Sequence, residues 1–365
     1  MRTDADLIVI GAGVAGLMLA EQLAGAGRRQ LRVMLIEQAR EISASRRVWS
    51  GYEARPGPLP VETGWQRIAL SAGRVPMELG LSRGRYALVR GEALTARALP
   101  VIAASPALSL HTGVSVEGVT RHESHIAVET GEGVLTARQV IDTRPGGAQL
   151  LNAAPFIQTS VRAEIRTGSG VFDPGVAVLV DDLRREGRAL EFSTILPLTE
   201  DHAIVEAVRI ARQGDEARPN LDLVLEQLVP GGGCDAVMRT RAASPMGLSD
   251  SWPGQPAGIT MAASRGAGAG IVRAAGRDAW RAAHWAGEAA AALQAGRLVP
   301  GLPAQNWMAR NASLWTLERV FARPALLLHL AAKRPPEALL GLLGGMLGTG
   351  EAMAALWAAI TAPRR

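Results

Sequence analysis

Three glycines and one acidic residue near the start of the chain have the types and spacing of a nucleotide-phosphate site. Gly11, Gly13 and Gly16 form a GxGxxG pattern, and Glu37 follows about 20 residues later. The first glycine permits a tight turn, the second lets the backbone approach a pyrophosphate, and the third lets a helix pack closely on a strand. A carboxylate at the position of Glu37 accepts hydrogen bonds from ribose hydroxyls. The pattern predicts a dinucleotide site.

Glu206 is the second residue whose sequence surroundings indicate chemistry. It lies in the run 203–208, which reads AIVEAV. Because successive side chains of a strand point to opposite faces, Ile204 and Val208 share the face of Glu206. A carboxyl group on a covered apolar face is expected to keep its proton and to act as a general acid. The alternative is a glutamate at a strand edge that pairs with Arg209 or faces solvent.

The elements around the glycines support the dinucleotide site. A strand-like apolar run over 6–10 leads into them, a helix is predicted over 17–24, and a second strand-like run ends at Glu37. The N-terminus of that helix offers free N–H groups and the positive end of its dipole to phosphates. A GxGxxG pattern alone is a weak signal, but strand, glycines, helix, strand and acid in this order are specific.

The segments after the second strand favour FAD over NAD. A NAD domain continues with regular strand–helix units, whereas 46–60 is rich in Arg, Gly and Pro and is predicted to be a loop. Strands are predicted over 65–71 and 85–89, an antiparallel meander over 114–137, and a returning strand over 140–142. This order is typical of flavoproteins in which a substrate domain interrupts the FAD domain.

A second glycine-rich segment, 266–276, precedes a helix predicted over 278–293. Backbone amides at Gly268 and Gly270 are expected to contact the flavin phosphates there. We therefore predict an α+β flavoprotein with a Rossmann-like FAD-binding domain, an inserted mixed or antiparallel sheet domain for the substrate, and C-terminal helices. The predicted ranges are 1–60, 86–147 and 255–295 for the FAD-binding domain, 61–85 and 148–254 for the substrate domain, and 296–365 for the helical region.

Composition and charge exclude several other classes of protein. The chain of 365 residues has a single cysteine, Cys234, which excludes a disulfide framework and a thiolate metal cluster. Its six histidines lack ligand spacing, so no metal site is expected. The net charge of +5 comes without a basic run interleaved with aromatic residues, so no nucleic-acid partner is expected. The early glycine motif leaves no room for a signal peptide, and apolar stretches stay below the roughly 18 residues of a membrane-spanning helix.

Four further segments are more selective than the glycine motif. They are RVWSGYE at 47–53, VIDTRP at 140–145, VFDPGVAVLVD at 171–181, and the hairpin over 192–206 that ends at Glu206. The first resembles a segment that follows the second strand in the lycopene β-cyclase family, and the second resembles an Asp-x-Arg turn of that family. The third is similar to actinobacterial members, and the fourth to the hairpin with the family's important glutamate. The resemblance is to bacterial, FAD-dependent carotenoid cyclases.

The resemblance implies a redox-neutral cyclisation in carotenoid biosynthesis. An acid would protonate a terminal isoprene double bond in a ψ-end group of lycopene or a related linear carotenoid. A neighbouring alkene would attack the cation, and loss of a proton would leave a β-ionone ring. FAD would then act in its reduced form as electrostatic support or proton handler, and NAD(P)H would serve only to keep it reduced.

The resemblance also implies roles for individual residues. Glu206 is expected to be the acid, Glu53 to lie beside the flavin ring, and Trp49 to lend its face to the developing cation. For Glu53 and Trp49, the alternative is a capped loop with the tryptophan packed in a domain seam. Arg90 is expected to contact the FAD pyrophosphate or ribose, or else to lie on the surface. Asp142 is expected to support the turn at the cofactor.

The chain departs from the family pattern at two places. Ala207 stands where the family usually has threonine, and 273–277 lack the usual continuation of the late glycine loop. These differences leave the polyene substrate, the number of cyclised ends and the ring isomer open. They also leave two other functions open. One is an FAD-dependent monooxygenase or prenyl reductase acting on a terpenoid, and the other is a polyprenoid-binding flavoprotein without catalysis.

The C-terminal third is predicted to be helical over 307–321, 325–332, 336–347 and 351–360. Either these helices cap the substrate domain, or they present an amphipathic surface to a bilayer from which a C40 hydrocarbon is extracted. Basic side chains that would suit anionic headgroups flank them: Arg319, Arg323, Lys333, Arg334, Arg364 and Arg365. We expect a cytoplasmic protein, peripherally attached to the inner face of the membrane, with a hydrophobic C40 polyene as its substrate.

Overall fold

Three β-sheets organise the described part of the chain. The structure is a computed structural model that describes residues 3–25, 31–42, 47–73, 75–144, 151–215, 217–231, 233–248, 258–261, 277–299 and 307–343. In chain order the strands are β1 (Ala5–Ile10), β2 (Val33–Glu37), β3 (Val48–Glu53), β4 (Val61–Trp65), β5 (Arg67–Ala72), β6 (Val75–Gly80), β7 (Arg85–Arg90), β8 (Leu108–Thr112), β9 (Val116–Arg121), β10 (Ile126–Thr130), β11 (Gly133–Asp142), β12 (Phe156–Thr167), β13 (Val176–Glu186), β14 (Ala189–Pro197), β15 (His202–Arg212), β16 (Cys234–Met246) and β17 (Ile259–Met261). The helices are α1 (Val14–Gly25), α2 (Gly91–Ala104), α3 (Leu221–Leu228), α4 (Arg277–Gln294), α5 (Trp307–Ala322), α6 (Leu326–Ala332) and α7 (Pro336–Leu343).

The first sheet has the order β8-β2-β1-β11-β10-β9, with β17 beside β11. Strands β8, β2, β1, β11 and β17 are parallel, and the β9–β11 meander is antiparallel. Strand β1 is apolar and buried from Leu7 to Ile10 because both of its faces are covered there. Leu7 and Val9 pack with α1, α2 and α4 in what we call the first core, whereas Ile8 and Ile10 pack in a separate cluster under the meander.

The second sheet has the order β16-β12-β15-β14-β13-β5-β6 and is antiparallel except between β13 and β5. Strand β15 lies inside it, and its side chains alternate as predicted. Ile204 and Val208 belong to what we call the second core, while Val205 and Ala207 pack on the opposite face, under α3. A hairpin with two covered faces thus carries Glu206.

The third sheet, β3-β7-β4, forms a wall between the two cores. Trp49 of β3 and Val89 of β7 belong to the first core, whereas Val48 and Leu88 belong to the second. The reason is the two-residue period of a strand, which sends neighbouring side chains to opposite faces. The three strands come from segments assigned to both predicted domains, and the domain boundaries themselves stay predictions.

Helices α5, α6 and α7 contribute Leu317, Leu327 and Leu339 to the second core. The described part of the C-terminal region therefore covers the second sheet, as in the first of the two interpretations. Among the described residues, no helix combines the length and the apolar character of a membrane span. The helix predicted over 351–360 lies outside the described residues, as do Arg364 and Arg365.

Three local predictions are wrong. Residues 46–60 are not all loop, because β3 forms from Val, Trp and Tyr, which favour strands despite the flanking Gly and Pro. The run 65–71 breaks at Gln66, so that β4 and β5 enter different sheets. The strands predicted over 134–137 and 140–142 are one strand, β11, whose two ends pair with different neighbours.

Candidate functional site

The glycine loop divides its three glycines between two roles. Gly11 has a φ of +98°, and Gly16 lies so close to the turn that an added Cβ would be 2.0 Å from the Gly11 carbonyl oxygen. Those two glycines are therefore needed for the loop and for the contact between α1 and β1. In the described part of the chain, a Cβ on Gly13 would meet no atom within 4 Å. The open side of the loop is thus at Gly13, beside the N-terminus of α1, where a pyrophosphate needs space.

Glu37 holds the same loop from the end of β2. Its carboxylate accepts hydrogen bonds from the backbone N–H groups of Ala12 (2.8 Å) and Ala39 (3.0 Å). The side chain is buried and lies beside the open loop. Glycines, helix terminus and buried acid fit a dinucleotide, and the contact of Glu37 with a ribose stays a prediction.

The turn after β11 closes the loop from the other side. Asp142 lies opposite Ile10 in the parallel pair β1–β11 and accepts hydrogen bonds from the backbone and guanidinium of Arg144. Thr143, which the sequence analysis missed, donates from its hydroxyl to the carbonyls of Ile10 (2.8 Å) and Gly11 (2.9 Å). Asp142 therefore stiffens the turn. Gly268 and Gly270 lie outside the described residues.

Arg90 lies at the junction of β7 and α2 and pairs with two acids. Its guanidinium is 2.6 Å from Glu62 and 2.7 Å from Glu164, and Glu164 also contacts His202 at 2.8 Å. The hydrogen bonds from Arg90 are the main reason why the pKa of Glu164 is lowered. These contacts differ from the two predicted environments of Arg90, which were a cofactor phosphate or ribose and the open surface. They join α2 to the second sheet.

Glu206 lies on the face of β15 that the sequence predicted, and only 6% of it is exposed. Ile204 and Val208 flank it in the second core. Its charged partner is Arg162, directly opposite on β12, whose Nη2 is 2.8 Å from Oε2 of Glu206. Arg209, the alternative partner, pairs instead with Glu191 and Asp215. The acid is therefore in apolar surroundings but is paired with a guanidinium.

Polar groups of the wall lie near the pair formed by Arg162 and Glu206. Arg162 donates from Nη1 to the carbonyl of Val48 (2.8 Å), and the hydroxyls of Ser50 and Tyr86 are 3.1 Å apart. Burial raises the pKa of Tyr86 to about 12, to which the charge of Glu206 contributes. The Tyr86 ring lies 6.4 Å from that of Trp65. A carboxylate, a guanidinium, a neutral phenol and an indole ring thus meet where the wall faces the second sheet.

Glu53 and Trp49 lie on the other face of the wall. Glu53 is 3% exposed and pairs with Arg85 at 2.7 Å, and Trp49 packs in the first core. Gly51, between them, faces Trp280 of α4. These two residues therefore lie on the face of the wall opposite to the second core, and their roles beside the flavin ring and the cation stay predictions.

Arg162, Tyr86 and Ser50 were missed because their role depends on pairing between distant strands. One signal was available: polar residues alternate over 158–164 as Gln, Ser, Arg and Glu at every second position. That alternation predicts a strand with one polar face. It does not say which strand lies opposite, so the pairing of Arg162 with Glu206 needed the structure.

A family model described as "Lycopene cyclase protein" matches residues 6–335. No curated protein matches the chain. Solved structures with the same fold include a geranylgeranyl bacteriochlorophyll reductase-like protein from Thermoplasma acidophilum, 14% identical, with a TM-score of 0.62, 98% of this chain and 96% of that chain covered. The flavin-dependent brominase Bmp2 is 12% identical, with a TM-score of 0.62 and 98% of both chains covered. Aklavinone-11 hydroxylase, solved with FAD and aklavinone, is 14% identical, with a TM-score of 0.55, 93% of this chain and 71% of that chain covered. The α+β flavoprotein fold is confirmed.

Proposed function

Because the chain belongs to the lycopene cyclase family, we propose that it closes ψ-end groups of lycopene or a related linear carotenoid into β-ionone rings. The observation that carries the proposal is the position of Glu206, buried between Ile204 and Val208 in an apolar core and paired with Arg162. A carbocation survives only where water is excluded, and an apolar core provides that exclusion.

Glu206 would move one proton in each direction. Its protonated carboxyl gives a proton to the terminal alkene, a neighbouring alkene closes the ring, and the carboxylate takes a proton from the carbon next to the ring cation. The residue returns to its starting form, so no net proton and no electrons are consumed. Arg162 stabilises the carboxylate in between through its positive charge and the hydrogen bond from Nη2.

Tyr86 and Trp65, rather than Trp49, would face the cation. Both rings lie in the second core with Ile204, whereas Trp49 lies behind the wall. Tyr86 stays neutral at physiological pH because of its high pKa, so its ring offers a π face without a competing anion.

Bound FAD, kept reduced by NAD(P)H, would supply electrostatic support or a proton to the reaction. On the side of the protein, the N–H groups at the start of α1 and the open side of the loop at Gly13 would hold its pyrophosphate. Glu37, from the end of β2, would accept hydrogen bonds from the ribose.

The test is expression in a host that accumulates lycopene, followed by extraction and mass spectrometry of the pigments. We expect a product with the mass of lycopene and the absorption of a cyclised carotenoid. A gain of two hydrogens would instead identify a prenyl reductase, and an added oxygen a monooxygenase. Unchanged lycopene that copurifies with the protein would identify a binding protein.

A further inference from the structure

We propose that Arg162 is a positioning residue that ties Glu206 to strand β3 of the wall and so sets where and how readily the acid exchanges its proton. The inference rests on the proposed function of Glu206. Its basis is one guanidinium with two partners on different sheets: the Glu206 carboxylate on β15 and the Val48 carbonyl on β3, each at 2.8 Å.

The burial of this ion pair is the first argument. The side chains of Arg162 and Glu206 are 13% and 8% exposed, among residues of the second core. Removing two charges from water is costly, and well-packed apolar residues often stabilise a protein at least as well as a buried pair. Stability alone therefore does not explain a guanidinium at this position. The need of the neighbouring carboxyl group to alternate between two protonation states does explain it.

The shape of the guanidinium is the second argument. It is planar, and its two Nη atoms point in fixed directions, so contacts at both of them fix two elements relative to each other. With Nη1 on Val48 and Nη2 on Glu206, the carboxylate keeps one distance from the face of the wall that carries Ser50 and Tyr86. A lysine has the charge but not the fork, so it would hold one partner at a time.

The charges around Glu206 give the expected effect on pH dependence. Among the described residues, Arg162 faces it from β12 and Tyr86 from β7, and its partner on β14 is the uncharged Thr194. Without Arg162, the carboxyl group would lose the hydrogen bond from Nη2 and the opposite charge beside it. We therefore expect the pH profile of kcat to differ from that of the wild type and the maximal kcat to fall.

The experiment compares R162M and R162K with R209M in the full-length, FAD-loaded protein. R209M is the matched control, because Arg209 is also buried and doubly paired but takes no part in the site. We expect R162M to lower kcat by about 10²-fold with little change in KM, and to change the pH profile of kcat. R162K should recover about tenfold of that loss and keep the wild-type pH profile, because it restores the charge but not the bridge. R209M should keep the wild-type kcat and pH profile.

A wild-type kcat and pH profile in R162M would overturn the proposal, as would an equal loss of kcat in R209M. If R162M does not fold, R162K provides the test. Lysine lacks the fork that holds two partners, so a wild-type kcat in R162K would contradict the positioning role of Arg162. A readout without turnover separates this proposal from the proposed function. The infrared difference between wild type and E206Q should show a band of the Glu206 carboxyl group, and on the R162M background this band should shift because the hydrogen bond from Nη2 is lost. If the band does not change, the proposal is overturned, even if the protein cyclises lycopene.

Discussion

Glu206 and Glu53 are both buried glutamates with an arginine partner, yet only one of them faces the second core. The side chain of Arg162, the partner of Glu206, is 13% exposed, whereas that of Arg85, the partner of Glu53, is 41% exposed. The surroundings of Glu53, with Gly57 donating to its carboxylate at 3.2 Å, are those of a loop anchor. The two residues therefore differ in what they can do, although their types and burial are alike.

Replacing Glu206 with glutamine is expected to stop cyclisation without unfolding the protein. Glutamine keeps the shape and one hydrogen bond to Arg162 but has no proton to give to carbon. We expect FAD content to stay at the wild-type level and the rate of ring formation to fall about 10²-fold or more. The measurement is the initial rate of cyclised product from lycopene, with bound flavin determined by absorbance.

The matched variant is E53Q, which changes an equally buried acid on the other face of the wall. It should keep most of the cyclisation rate and lose stability or flavin through its loop. Should E206Q turn over normally while E53Q is inactive, the acid lies on the first-core face and the assignment of Glu206 is wrong.

At the scale of residues, the sequence predicted on which face of a strand a side chain lies better than it predicted with which residue that side chain pairs. The face that Glu206 shares with Ile204 and Val208 follows from the two-residue period of a strand and is confirmed. The ion pair with Arg162 joins residues 44 positions apart and depends on the β12–β15 register, which has no local signal. The same applies to Tyr86 and Ser50, which meet across two other strands.

At the scale of elements, the β1–α1 loop allows a test of FAD binding that leaves the fold intact. A Cβ at Gly13 would meet no atom of the described residues within 4 Å, whereas a valine side chain would fill the space for a pyrophosphate. We therefore expect G13V to fold, to be colourless and to bind added FAD at least about 10²-fold more weakly, since several phosphate contacts are lost together. Flavin absorbance after purification and a fluorescence titration measure both quantities.

The control for this prediction is G16V. A side chain there would press on the Gly11 carbonyl, so the loop itself would be disrupted and the melting temperature should fall. A G13V protein that purifies with a full complement of flavin would place the cofactor elsewhere.

The link between α2 and the second sheet is expected to depend on pH through Glu164. Its pKa is lowered from 4.5, first by the hydrogen bond from Arg90. A lowered pKa in the folded state means that the pair stabilises the protein fully above pH 4.5, and that this contribution is lost as the pH falls through the folded value. We expect E164Q to lower the free energy of unfolding by about 1–3 kcal/mol at pH 7.

The measurement is urea unfolding of wild type and E164Q from pH 7 to pH 3. The difference between the two proteins should be constant near neutral pH and shrink below pH 4.5, where the wild-type carboxylate takes up its proton. A difference that is the same at every pH would show that Glu164 acts through packing alone.

Among the elements, the glycine loop and its flanking strands and helix were predictable because all their signals are local. Strand β3 was not, because Gly and Pro around it outweighed the strand preference of Val, Trp and Tyr in a short window. The break between β4 and β5 was missed for a related reason. One apolar run enters two sheets there, and nothing within the run marks the change at Gln66.

At the scale of the whole molecule, the proposed reaction predicts a particular use of reductant. A redox-neutral cyclisation needs NAD(P)H only to reduce the flavin once, so many rings should form for each nicotinamide oxidised. Anaerobic turnover with a limiting amount of NAD(P)H, followed by pigment analysis, measures this ratio. One nicotinamide per product, or an absolute need for oxygen, would contradict a cyclase.

Delivery of a C40 substrate predicts contact with a bilayer, which we expect to be peripheral. Helices α5 to α7 already use their leucines in the second core, so the basic side chains near them would supply the attraction to anionic lipid. Flotation with vesicles containing phosphatidylglycerol should recover the protein at low salt and less of it at high salt. Equal recovery with neutral vesicles would indicate an apolar contact instead.

The wall of β3, β7 and β4 has a consequence for how such an enzyme can evolve. Along 48–53, alternate codons specify residues on opposite faces of the wall, with Trp49 in the first core, Val48 in the second and Tyr52 packed against the second. Changes at Trp49, Gly51 and Glu53 would then alter retention of the flavin, while changes at Val48, Ser50 and Tyr52 would alter the product spectrum. A lineage could thus acquire a new polyene through alternate codons of one short strand and inherit its cofactor site unchanged.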